Sequence, residues 1–297
     1  MAEMKARGIR ALDCVFVSGD AYVDHPSFGA AIICRVLMDR GYTVGVISQP
    51  DWHGPEAFRA LGRPRLAFLV SAGNLDSMVN HYTVAKRPRD TDAYAPGGAT
   101  GGRPDRAAVV YGNRCREAYA GVPVVLSGIE ASLRRFAHYD YWEDRVRHSI
   151  LYDAGADLLV YGMGERAIVE IMDRLNAGAP AKDLLDIRGT CVRVPDGSAC
   201  KEAVLLPSYQ RVAEDKRAYA EAFLLESGEM DAVRGKPLVQ PHEKGALYCN
   251  PPAMPLSQQE LDAVYALPYT REPVPADQPH IPAMDEVSFS VTHNRGC

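Results

Sequence analysis

The chain has 297 residues, 47% of them hydrophobic and 24% charged, enough for one large or two ordinary domains with a sizeable core. A net charge of -5 excludes a basic footprint spread over the whole surface, and no apolar run reaches the roughly 18 residues of a membrane helix. Seven cysteines without regular spacing or a CxxC pair match neither a secreted disulfide framework nor a zinc knuckle; with no leader-like N-terminus, the expected location is the cytoplasm and no membrane partner is expected.

"LDCVFVSG" (12–19) is a short apolar run ending in glycine, and "TVGVISQ", "LAFLVSAG", "VPVVLSG" and "DLLVYG" repeat the form. Each reads as a strand buried on both faces. After the first, Phe28, Ala31, Ile32, Val36 and Leu37 share one helical face, with Ser27 placed to cap the helix and Gly41 to end it. Repetition of this unit predicts an α/β domain over residues 1–178: an open, mainly parallel five-stranded sheet with helices on both faces, Rossmann-like in class. Ligands of such sheets sit beyond the carboxyl ends of the strands. Those ends are Ser18 to Asp20, Ser48 to Asp51, Ser71 to Asn74, Ser127 to Glu130 and Gly162 to Glu165. The Gly- and Pro-rich segment Ala85 to Ala107 is far longer than an ordinary connection and reads as a flap or a disordered loop.

Residues 179–284 read as a less regular α+β accessory segment and Pro-rich connector. Short strand-like pieces ("CVRV", "AVLLPSY") and one polar helix (Val212 to Leu225) give way to Pro-dense chain from Pro237 to Pro282, which cannot donate a regular ladder of backbone hydrogen bonds. "VSFSV" (287–291) alternates apolar and polar residues and reads as a strand opening a new unit over 285–297.

Three stretches carry candidate chemistry. "YGMGERA" (161–167) matches G-x-G-x-x-A between strand and helix, the context of a pyrophosphate loop, but Glu165 puts a carboxylate where phosphate would sit, so a tight turn is the better reading. "DAYVDHPSFG" resembles cobalamin-binding domains, where Asp-x-His-x-x-Gly follows the first strand and the histidine ligates cobalt. Asp24 and Gly29 fit that frame, whereas Pro26 takes the histidine position and His25 falls one place early. The fold is therefore expected to be cobalamin-binding-like without bound cobalamin. "GIEASLRRFAHYDYWEDRVRHSIL" (128–151) mixes arginines with aromatics after the fourth strand, which suits phosphates or stacked bases, or equally a helix packed on the sheet with its arginines paired internally.

The segments "VSGDAYVDHPSFG", "SQPDW", "AGNLDSMVNHYT", "DAYAPGG", "RPDRA", "GIEASLRRFAHYDYW", "YGMGE" and "HNRGC", which run from about Leu12 to Cys297, together resemble the YgiQ-type radical SAM proteins. The resemblance implies an N-terminal region ahead of a radical SAM barrel, in a protein of roughly twice this length. In that barrel three thiolates of a CxxxCxxC loop hold a four-iron, four-sulfur cluster that binds S-adenosylmethionine. Cys297 would be the first of the three, a metal ligand only in a longer protein; the other two are absent, so this chain alone is expected to carry no cluster, no cofactor and no radical activity.

The leading expectation is an accessory region that covers the barrel mouth and helps position an unknown substrate, with the missing barrel as its partner. Candidate ligand contacts, chosen from the strand ends, are Asp20, Asp24, His25, Ser71, Asn74, Glu130, Arg134, Arg135 and Glu165; no catalytic residue is assigned. Alternatives are a stand-alone nucleotide- or corrinoid-binding module, a structural domain packing through a helix at Tyr141 and Trp142, and a weaker RNA-binding reading from Arg134, Arg135 and the basic residues between Lys86 and Arg106.

Overall fold

The computed structural model describes residues 2–6, 8–197 and 202–290. In chain order the first elements are α1 (Ala2–Ala6), β1 (Cys14–Ser18), α2 (Gly29–Asp39), β2 (Val44–Ser48), β3 (Ala67–Ser71), α3 (Ser77–His81), α4 (Ala107–Ala118), β4 (Val124–Ser127) and α5 (Gly128–Leu133). A hairpin of β5 (His138–Asp140) and β6 (Arg145–Arg147) follows, then α6 (Ile150–Asp153), β7 (Leu158–Val160) and α7 (Glu165–Asn176). The remainder holds β8 (Thr190–Val194), β9 (Val204–Leu205), α8 (Tyr209–Glu214), α9 (Lys216–Gly228), β10 (Leu238–His242), β11 (Gly245–Cys249), α10 (Gln258–Tyr265) and α11 (Ala283–Val287).

The expected parallel strands are all present, in the order β2-β1-β3-β4-β7. The continuous apolar sequences of β1, β3, β4 and β7 reflect burial on both sides, whereas β2, at the edge of the sheet, is only half-buried. In β1, Cys14 and Phe16 pack under α2 and α7, while Val15 and Val17 pack on the opposite face with α4. Alternation with period 2 thus feeds two cores from one strand. Helix α7 buries Ile168, Ile171, Met172 and Leu175, one face at i, i+3, i+4 and i+7. Helix α2 ends as the sequence implies: Gly41 at φ +87° lets its amide reach Met38 O at 2.9 Å and the Tyr42 amide reach Leu37 O at 3.0 Å, a Schellman closure. Ser27 does not cap it; Phe28 occupies the N-cap, without a side-chain bond.

The structure departs from the sequence reading in the second half. The sheet has nine strands rather than five: β8, β11, β10 and β9 continue it beyond β7, so residue 178 does not mark its edge. Three of the new pairings, β7–β8, β8–β11 and β10–β11, are antiparallel. Strands β8 and β9 fall on the strand-like pieces "CVRV" and "AVLLPSY", whereas β10 and β11 lie in the Pro-dense stretch, and β10 contains Pro241. That proline lies beyond the short β9 pairing, where the missing N–H breaks no ladder. The polar helix is two, α8 and α9, broken at Asp215, whose side chain caps α9 through Arg217 N. Tyr141 and Trp142 lie in the turn of the β5–β6 hairpin instead of on a helix. Val287 closes α11 rather than opening a strand; Ala283 and Met284 turn inward onto Ile281 and Phe28, which favours a helical turn here. The remainder of that expected strand from Val291, with Cys297, lies outside the described residues.

The long segment 85–107 is neither a free flap nor a disordered loop. Arg103, wholly buried, lies between Asp20 (2.9 Å) and Asp92 (2.8 Å) and donates to Ala72 O at 3.0 Å. It thereby ties the loop to the ends of β1 and β3. Removing the guanidinium leaves two buried carboxylates facing each other, and loss of one partner from a buried ionic group typically costs about 3–5 kcal/mol. Arg103→Met is accordingly expected to lower the free energy of unfolding by that amount in urea titration; a change under about 1 kcal/mol would show that the triad does not hold the loop.

Candidate functional site

Strands β1 to β4 all end on serine at one level: Ser18 lies opposite Ser48 and Ser71, and Ser71 opposite Ser127. A cavity of about 220 Å³ opens above this row, between the carboxyl ends of β1, β3, β4 and β7 and the first turns of α2 and α7. It coincides with the point where the strand order reverses, between β1 and β3, at which open α/β sheets hold their ligands. Apolar walls come from residues such as Phe16, Leu69, Val125 and Val160, and polar groups from Ser18, Ser71, Ser127, Asp20, Asn74 and Glu165.

Glycines make the floor possible. Gly73 sits at φ +117°, where a Cβ would fall 2.0 Å from Asp20 Oδ1, and Gly128 at φ +86°, where a Cβ would meet Ser71 Oγ at 2.5 Å. Any other residue at either place would collide with the polar group it exposes.

Asp20 is the buried charged group of this floor. Its Oδ2 accepts the Asn74 amide at 2.6 Å, and Arg103 lies behind it. Burial pushes its carboxyl up to about 6, against the lowering pull of Arg103 and the Asn74 amide, while neighbouring Asp92 adds to the rise. Asn74 in turn accepts from the Gly29 amide, 3.4 Å away at the start of α2.

Of the nine candidate residues, Asp20, Ser71, Asn74 and Glu165 line the cavity. Asp24, His25, Glu130, Arg134 and Arg135 do not, and each is committed elsewhere. Asp24 pairs with Arg35 and accepts the Thr270 amide at 2.8 Å; burial opposes its charge, but these partners hold its carboxyl below the ordinary range. His25 accepts from Ser27 N at 3.1 Å, and burial followed by the charge of Arg271 keeps its ring neutral to a lower pH than usual. Glu130, fully buried, accepts from Ser77 N (2.8 Å), Ser77 Oγ (2.6 Å) and Ala108 N (2.9 Å), clasping the starts of α3 and α4 to α5. Arg134 pairs with Asp76. Arg135 donates to Ser132 O at 2.7 Å and lies 5.0 Å from the ring centres of Phe136 and Tyr161. Among the basic residues of the long segment, Arg106 pairs with Asp140 and Glu143, while Lys86 reaches Trp142 O and the Tyr141 ring. Sequence reading named the strand ends but did not single out Ser18, Ser127 or Arg103; the serines repeat in register, a visible signal, whereas Arg103 gives none within its own loop.

The topology defines the class of this chain: an open α/β domain of 2-1-3-4-5 strand order, extended by antiparallel strands, with a cavity at its switch point. The chain belongs to the Radical SAM N-terminal family, which it matches over residues 1–290. It is 52% identical over 297 residues to a UPF0313 protein of Clostridium botulinum, 99% of this chain and 46% of that one. A UPF0313 protein of Geobacter sulfurreducens is 55% identical over 296 residues, 99% of this chain and 49% of the relative. The YgiQ-type resemblance is borne out, and the chain spans about half the length of the curated relatives it matches. Among solved structures, the radical S-adenosylmethionine methyltransferase TsrM of Kitasatospora setae, with tryptophan substrate and an S-adenosylmethionine analogue bound, aligns at 21% identity and a TM-score of 0.41, over 61% of this chain and 28% of that one. A likeness at that level adds nothing to the topology already described.

The four-iron cluster implied by the family needs thiolates converging on one point. The described cysteines do not fit it. Cys14, Cys34, Cys115, Cys191 and Cys249 are buried, Cys191 and Cys249 lie 3.1 Å apart at sulfur without a third described cysteine beside them, and burial pushes the Cys14 thiol up to about 12. Among the described residues no group of three or more His, Cys, Asp or Glu could hold a metal ion, and no helix is long and apolar enough to cross a membrane.

The raised carboxyl of Asp20 sets a pH signature. An unfolded aspartate ionises near 3.9, whereas the folded one holds its proton to about 6, so this group's contribution to stability falls as pH rises from about 4 to about 6. In Asp20→Asn the Arg103–Asp92 pair remains, and the decline should shrink by this share, leaving that of Glu226, whose carboxyl burial pushes up to about 7. Urea midpoints of the two proteins at pH 4.5 and 7 measure this; an identical pH dependence would rule out a raised Asp20 carboxyl.

Proposed function

We propose that this chain is the N-terminal accessory region of a longer radical SAM iron–sulfur protein, and that its strand-end cavity positions a small substrate for chemistry carried by the following barrel. The observation that carries the reading is the placement of the C-terminal connector beside the cavity. Arg271 N donates to Asp24 O (2.9 Å) and Val274 N to Tyr22 O (2.9 Å), and Ile281, Ala283 and Met284 pack on Ala21, Val23 and Phe28. Ala21, Val23 and Phe28 also line the cavity. Chain continuing past α11 therefore departs from the cavity's own rim.

The alternative is a binding module that acts without a barrel, favoured by the position of the cavity at the sheet's switch point. The two readings differ in what iron does. A protein extended beyond Cys297 to the length of the relatives, reconstituted anaerobically with iron and sulfide, is expected to gain iron–sulfur absorbance and to cleave S-adenosylmethionine, while residues 1–297 gain neither. Failure of the longer protein to assemble a cluster would defeat the radical SAM reading and leave the binding module.

A further inference from the structure

Among the described residues, those that line the cavity include two carboxylates, Asp20 and Glu165, and no lysine, arginine or histidine. Arg103 lies behind the wall and is shared between Asp20 and Asp92, so the buried triad carries two acids against one base. Two helices of full length begin here, and their N-termini would ordinarily draw an anion. At α2 the Gly29 amide donates to the neutral Asn74 Oδ1, 3.4 Å away, with no acid in the first turn, while α7 carries Glu165 in its first turn. A phosphate or carboxylate ligand would thus meet acids and hydroxyls with no cation to offset its desolvation.

Asp20 retains capacity for a further partner. A carboxylate has about four acceptor positions, and the neighbours described here are Asn74 N on Oδ2 and Arg103 at Oδ1. Along the same edge lie the hydroxyls of Ser18, which accepts the Asp20 amide at 3.1 Å, and Ser71, which accepts the Gly73 amide at 3.1 Å, with that of Ser127 one strand further on; each oxygen has a second acceptor position, and the walls beyond are Phe16, Leu69, Val125 and Val160. A dry cavity of about 150 Å³ accommodates benzene, so the present volume of about 220 Å³ suits one ring with a short arm.

From this arrangement we propose that the cavity binds a small ammonium compound, a primary amine on an apolar body about the size of one ring, with the ammonium group against Asp20 and the strand-end hydroxyls. The proposal rests on the reading of this cavity as the ligand site and adds the charge class of the ligand. An ammonium supplies three donors to hydroxyl and carboxylate acceptors and balances the surplus acid of the triad. A neutral alcohol of the same shape fills the walls but leaves that charge unanswered.

Isothermal titration of this chain with 2-phenylethylammonium, 2-phenylethanol and phenylacetate at pH 7 tests it. The ammonium probe is expected to bind at least tenfold more tightly than the alcohol, with no binding of phenylacetate. In Asp20→Asn the preference for ammonium over alcohol should shrink tenfold or more, and Val160→Phe, which fills the cavity, should abolish binding of both, with circular dichroism confirming that each variant is folded. Alcohol or phenylacetate binding as tightly as ammonium would overturn the charge assignment while leaving the cavity a ligand site. Absence of binding by all three probes would overturn the assignment and remove the cavity as a ligand site, whereas the radical SAM reading stands or falls separately on cluster assembly in the longer protein.

Discussion

A guanidinium buried without access to water is tolerated only when its charge and its donors are matched, and in this chain the match comes from three separate stretches of sequence. Asp20 follows β1, Ala72 follows β3, and Asp92 belongs to the same long loop as Arg103. The two carboxylates and one carbonyl converge only if the two strands lie side by side and the loop folds back across their ends. The triad thus links the sheet's switch point to a segment that, on composition alone, had no reason to be ordered. It also explains why the carboxyl edge of this sheet is rigid enough to keep a cavity open: loop, strand ends and the start of α3 are cross-linked by ionic and hydrogen-bonded contacts, with Glu130 repeating the device one strand further along.

Negative charge is handled in the same way at several points of this edge. Asp76 caps α3 through Met78 N and Val79 N and meets Arg134; Asp140 receives Trp142 N and Glu143 N and meets Arg106. Asp76 and Asp140, like Asp20, each take both a backbone donor and an arginine, whereas Glu130 is held by the Ser77 and Ala108 amides and the Ser77 hydroxyl. Of the arginines that give the sequence its basic appearance after the fourth strand, Arg134 is spent on Asp76 and Arg147 on Glu143 and Asp153, as Arg106 before it is on Asp140. What is left facing the cavity is acidic and hydroxylic, a balance that only the assembled fold reveals.

Much of the fold was legible because burial on both faces leaves an unmistakable mark: runs such as "CVFVS" and "AFLVS" with no polar interruption, each closed by glycine or serine. The edge of the sheet that carries the cavity followed from the same runs. Direction did not. Asp24 and Glu130 stand at strand ends as Asp20 does, yet the partners that turn them inward, Thr270, Ser77 and Ala108, are as far as 246 residues away in sequence. The antiparallel extension was legible in part: "CVRV" and "AVLLPSY" mark β8 and β9, whereas β10 and β11 lie in the Pro-dense stretch, where Pro241 and the flanking prolines hide them in the connector. Stretches whose order comes from one distant contact, as the loop of Arg103 does, resist local reading by their nature.

The connector between Tyr269 and Met284 does more than pass over the domain. Because it is bonded by its backbone to the loop after β1, any chain that continues from it begins at a fixed point beside the cavity instead of at the end of a free tether. Two modules held this way meet at a high effective concentration set by the few residues between them, so their contact surface can be weak and still be occupied. Separated into two polypeptides, the same modules would have to find each other by intrinsic affinity alone. In the longer protein proposed above, covalent continuity at this rim would do work that a large apolar interface would otherwise have to do.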